Sequence, residues 1–225
     1  MLYIIPTKNG IGVEIWGTRE DLDIFYSFIG QFWNYEEKLT QKGFENRDNL
    51  ISSFSYEIRK AKEEQRLKRN KSHFSFEEQK YFGAQISWVH FLFSLVAIKY
   101  NMRYYPTNKL DISQLLNLEF WLEKAMNDYD KITAEKLVGF IEDGLHGGNE
   151  YIYQYMRSLD VDFLQLGGGK KSFRKLPDLL KRGIFYTEEY KDYENFLKTE
   201  SQKLNCSISD LEINDDDFDY DKIAW

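Results

Sequence analysis

An α+β fold, predominantly helical with an N-terminal β-hairpin packed on a helical bundle, is the class this sequence predicts. Three observations carry it. Two short β-prone runs flank an Asn9-Gly10 turn at the start of the chain. Apolar residues then recur at helical spacing through most of the remaining chain. Apolar residues make up 42% of the 225 and aromatic residues 17%, enough to bury a core without covalent staples.

The hairpin comes first. LYII and IGVEIW are the two runs, and in the second Ile11, Val13 and Ile15 alternate with Gly12, Glu14 and Trp16. Period two places one face on a core. Thr18 and Asp21 have capping-box spacing, and Leu22, Phe25, Ile29 and Phe32 follow at helical intervals. Residues 49–69 read as helix through Leu50, Phe54, Ile58 and Ala61, although SSFSYEI also reads as a strand. Ser75 and Glu78 form a second candidate box. After it the run ISWVHFLFSLVAI, residues 86–98, predicts a buried core helix that ends before Pro106.

A long helix is expected over residues 109–129, with Ile112, Leu115, Leu118, Leu122, Met126 and Tyr129 on one face. Thr133 is the expected cap of the next helix, which carries Leu137, Phe140, Ile141 and Leu145 and stops at Gly144, Gly147 and Gly148. One more helix is expected over 149–159. Gly167-Gly168-Gly169 then marks a candidate hinge, and a last amphipathic helix starts near Thr187. The expected division is a main α+β domain, 1–160, and a C-terminal helical appendage with an acidic tail, 161–225. One continuous domain is the alternative. The expected core includes Phe25, Ile29, Trp88, Phe91, Leu95, Leu115, Trp121, Leu122 and Phe140.

The single cysteine, Cys206, excludes an intramolecular disulfide and suits a reducing compartment. No basic n-region precedes a long apolar stretch, and the longest apolar run is shorter than the ~20 residues a membrane helix needs. The expected location is the cytoplasm, with no membrane partner.

Net charge is −7, and residues 206–225 hold seven acids against one lysine. The acidity belongs to the tail. Two stretches oppose it: residues 56–71 with seven bases and three acids, and residues 170–182 with six bases and one acid.

Catalytic and cofactor motifs fail on spacing. Lys170 after three glycines lacks a P-loop's first glycine, where Leu164 stands, and its Ser or Thr, where Lys171 stands. Gly10 and Gly12 lack the third glycine of a dinucleotide fingerprint at Ile15. Asp215, Asp217 and Asp219 open like a calcium loop, but Tyr220 occupies the glycine position and the chain ends at Trp225. No cofactor and no metal site is expected, and no catalytic residue is assigned. His146, three and four residues after Asp143 and Glu142, has a carboxylate–histidine spacing that suits acid–base work. His90 sits inside an apolar run and reads as a satisfied core histidine.

The leading functional reading is a protein-binding module for a partner with a basic surface, and toxin-neutralising immunity proteins share this profile. Its candidate contacts are Asp215, Asp216, Asp217, Asp219 and Trp225. The second reading is nucleic-acid binding through 56–71 and 170–182, with Lys170, Lys171, Arg174 and Lys175 as candidate anion contacts. The third is an enzyme with a dispersed site near His146. For the tail, folding back onto the basic stretch with Trp225 as anchor stands beside a free tail awaiting a partner.

PTKNGIGVEIWGTREDLDIFY, SYEIRKA, YFGAQISWVHFLFSLVAIKYN and PTNK resemble a bacterial family of unknown function, over roughly residues 1–145. The resemblance implies a bacterial cytoplasmic protein and brings no catalytic residues. FLKTESQKLNCSISDLE and DKIAW resemble a helix–turn–helix ending of other helical proteins.

Overall fold

The computed structural model describes residues 2–33, 41–71, 79–211 and 219–225. The hairpin forms as expected, with β1 (Tyr3–Pro6) antiparallel to β2 (Gly12–Gly17). Thr7 closes its turn: its amide donates to Gly12 O at 2.9 Å and its hydroxyl accepts from Gly12 N at 3.1 Å. Gly10 sits at φ +65°, and a Cβ there would strike the Tyr129 ring. Glycine is therefore demanded by backbone and packing together.

The hairpin is half of a larger sheet. β3 (Leu67–Lys71) and β4 (Gln79–Ser87) complete a four-stranded antiparallel sheet in the order β1-β2-β4-β3. Sequence pattern alone does not reveal these two strands, for opposite reasons. β4 runs between two neighbours and is buried almost along its length from Tyr81, so it shows no in–out alternation. β3 is an edge strand, LKRNK, whose charges keep an open edge from pairing with other chains.

Helix α1 (Arg19–Gly30) begins at the predicted capping box: Thr18 accepts from Asp21 N, and Asp21 answers to Thr18 N. Thr18→Ala removes one of these bonds and lowers stability by about 1 kcal/mol, as chemical denaturation would show; an unchanged midpoint would contradict the cap. Helix α2 (Phe44–Lys62) confirms the helical alternative for most of 49–69, and the strand begins only at Leu67. Helix α3 (Trp88–Asn101) is the core helix, capped by Ser87, whose hydroxyl accepts from His90 N. The Ser75–Glu78 box lies outside the described residues.

Helix α4 (Lys109–Tyr129) has the predicted bounds. Asp130, not Thr133, caps α5 (Lys131–Gly139): its carboxylate accepts from both Thr133 N and Thr133 Oγ1. A carboxylate serves both donors at once and also takes Arg174 at 2.8 Å. Beyond a π-helical turn at Phe140–Gly144 come α6 (Ile152–Leu164), α7 (Gly169–Phe173), α8 (Leu176–Leu180) and α9 (Glu188–Leu204), the last starting near Thr187 as expected, with Thr187 as its cap.

α2 lies against α1, α3 and β4, and α4 covers β1. One hydrophobic core runs through the sheet and these helices. Phe173, Leu176, Leu180, Tyr190 and Leu197 belong to the same core. Trp88 meets Phe173 at 5.1 Å between ring centroids, and Tyr155 OH donates to Tyr190 O. Gly167, Gly168 and Gly169 all have positive φ; Gly168 packs against Asn9 O and Ile11. Of the expected core, Phe25, Ile29, Trp88, Phe91, Leu95 and Leu122 are buried, and Leu115, Trp121 and Phe140 are partly buried against them. Among the described residues no helix is long and apolar enough to cross a membrane.

Candidate functional site

A cleft of about 940 Å³ opens between α2, β4, the start of α3, α6 and the last residues of the chain. Ser53, Ser87, His90 and Asp160 supply polar groups to it; Tyr56, Tyr153, Tyr220 and Trp225 supply aromatic ones.

Each polar group is held by a local feature. Ser87 is the α3 cap, so its oxygen is committed to His90 N, and its hydroxyl donates to the Asp160 carboxylate. Asp160 lies on α6 one turn from Met156 and from Leu164, both buried, which carries the carboxyl inward with them. Ser87 is its hydrogen-bonding partner, and no lysine or arginine among the described residues pairs with it. Burial pushes the carboxyl up to about 6, and the Ser87 bond opposes this without overcoming it. The group is therefore neutral in mild acid and charged at neutral pH.

His90 reaches α2, with Nε2 2.9 Å from Ser53 Oγ. The Ser53 hydroxyl donates to Leu50 O at 2.9 Å, which assigns the ring proton to Nε2. Burial pushes this imidazole down to about 4, against the pull of Glu57. It stays neutral above pH 5. With its own proton given to Leu50, Ser53 is not an activated nucleophile. Glu57 and Arg66 neutralise each other through a two-pronged pair at 2.7 and 3.0 Å. At neutral pH the unbalanced charge among these groups is therefore the Asp160 carboxylate.

The chain end reaches this cleft. Asn9 Nδ2 donates to Ala224 O at 3.0 Å, and Ile223 and Trp225 line the cavity. Asp219, exposed, pairs with Lys222. Asp215, Asp216 and Asp217 lie outside the described residues. In the basic stretch, Lys170, Lys171, Arg174 and Lys175 are exposed. Arg174, Lys181 and Arg182 pair with Asp130, Asp178 and Asp162. Burial and the Arg174 and Thr133 bonds act oppositely on Asp130, and the bonds prevail and hold its carboxyl low. In 56–71, Lys62 pairs with Asp23, Arg66 with Glu57 and Lys68 with Glu64.

His146 stands beyond the end of the π-helical turn, so its spacing to Glu142 is not that of one helix face. Its ring lies 4.6 Å from Phe185 and 6.1 Å from Tyr190, and burial with nearby Arg47 holds its pKa down. Glu142 acts on Glu123 instead. Among the described residues no group of three or more His, Cys, Asp or Glu side chains could hold a metal ion.

Asp160 and its partner Ser87 are not among the residues that sequence reasoning singles out. The one cue to them is an acid on the apolar Met156–Leu164 line of α6.

No curated protein and no solved structure matches the chain. The family described as a domain of unknown function, DUF6904, matches residues 2–225. The chain belongs to that family, which agrees with the resemblance in its opening strings.

Proposed function

We propose that the protein is a binding module whose partner places a guanidinium or ammonium group in the cleft, against Asp160. The observation that carries this is a carboxyl in a cleft with a serine hydroxyl and, among the described residues, no cation as its partner. A buried carboxylate without a counter-charge is costly, and an incoming cation removes that cost. Trp225 suits the same guest, because aromatic faces attract cations; Tyr56 and Tyr153 already carry Arg59, Lys60 and Arg157 against their rings. His90, neutral at pH 7, does not repel it. The partner is a protein with a basic surface.

Calorimetric titration tests this with N-acetyl-arginine methylamide and its neutral analogue, N-acetyl-citrulline methylamide. At pH 7.5 the arginine compound binds at least about tenfold tighter. Asp160→Asn abolishes that preference, and so does lowering the pH through 6, where the carboxyl protonates. Equal affinities for the two compounds, or an arginine preference that survives in Asp160→Asn, would overturn the reading.

A further inference from the structure

Helix α4 faces the core through Leu118, Leu122, Ala125 and Met126. Its opposite side carries Ile112, Leu116 and Phe120, exposed by 47, 57 and 57%. A spacing of four sets these three in one row on the solvent face. Scattered exposed apolar residues are ordinary; a row bracketed by opposite charges is less so. Lys109 precedes Ile112 by one turn, and Glu123 follows Phe120 by one turn.

Among the described residues neither charge has an ion-pair partner. The nearby cation, Lys99, is bonded to Glu119 at 2.7 Å. Burial, Glu119 and Glu142 hold the Glu123 carboxyl above its usual range, with Lys99 opposing them. Glu123 thus sits among like charges and lacks a cation of its own.

We infer that this face of α4 packs antiparallel on α4 of a second copy of the chain, with the two-fold axis at Leu116. In an isologous contact of this kind, positions equally distant from the axis meet. Leu116 meets the partner's Leu116, and Ile112 meets the partner's Phe120. Lys109 and Glu123 each stand seven residues from Leu116, so Lys109 meets the partner's Glu123. Both ends of the row are then matched in charge, twice over by symmetry. Antiparallel self-pairing is the arrangement that satisfies every one of these positions. The helix spans about 30 Å. Ile24 of α1, beside Ser113 and Asn117, extends the apolar area toward the ~800 Å² per partner of a stable contact. The surface shares no residue with the Asp160 cleft and does not rest on that reading.

Sedimentation equilibrium of the full chain from 1 to about 100 μM tests the inference. The wild type associates to a dimer. Leu116→Glu sets two carboxylates on the axis and weakens association by more than about tenfold. Lys109→Glu weakens it too, and adding Glu123→Lys to the same chain restores it. Thermal melts confirm that each variant folds. A wild type that stays monomeric throughout would overturn the inference, as would a dimer indifferent to Leu116→Glu or a double variant no tighter than Lys109→Glu.

Discussion

Asp160→Asn makes the free protein more stable at pH 7.5, by up to about 3 kcal/mol. Folding lifts this carboxyl from 3.8 to about 6, so the folded chain holds its proton more tightly than the unfolded chain does. Stability therefore falls as pH rises from about 4 to about 6, and the loss is complete above that window. Two pKa units correspond to roughly 3 kcal/mol, and water entering the cleft reduces this. Asparagine keeps an oxygen for the Ser87 hydroxyl and carries no charge. Urea unfolding from pH 4 to 8 reads the difference between the proteins, which grows through pH 4–6 and then levels. A variant less stable than the wild type at every pH would show that the carboxylate holds the fold together. A residue that weakens the empty protein is the kind retained for a partner.

Leu122→Ala lowers stability by about 2–5 kcal/mol. Leu122 is fully buried on the inner face of α4, in the core that joins the sheet to the helices. Alanine removes apolar contact and leaves a cavity that the surrounding helix and sheet close only in part. At this chain length each kcal/mol moves the midpoint by about 2–4 °C, so the melt drops by roughly 4–20 °C. Leu116→Ala on the outer face gives the contrast: measured in the monomer, it changes stability by about 0.5 kcal/mol or less. A loss under about 1 kcal/mol at Leu122 would mean that α4 is misplaced against β1.

α4 is readable in sequence from end to end because a long helix with one core face repeats its signal over many turns. The Thr18–Asp21 cap is readable because caps are local chemistry, and the start of α9 is readable near Thr187. β4 is not readable: two-sided burial erases the alternation that announces a strand. Thr133 and Asp130 are both competent caps by residue type, and the helix starts where Asp130 also receives Arg174. The cleft is the least readable feature. Ser53, His90, Asp160 and Trp225 lie on different elements and meet only through the sheet and the return of the chain end. His146 is attractive for the opposite reason, a local spacing that looks helical and is not.

The most direct measurement is the protonation of Asp160 itself. Carboxyl ¹³C NMR, with the signal assigned through Asp160→Asn, follows its titration in the free protein and with N-acetyl-arginine methylamide at saturation. The cleft account predicts a midpoint near 6 in the free protein, since burial without a counter-charge favours the neutral acid. It predicts that the arginine compound moves this midpoint down by about one unit or more, and that the citrulline compound leaves it in place. A free midpoint near 4, or one that the arginine compound does not move, would contradict a cationic guest at Asp160.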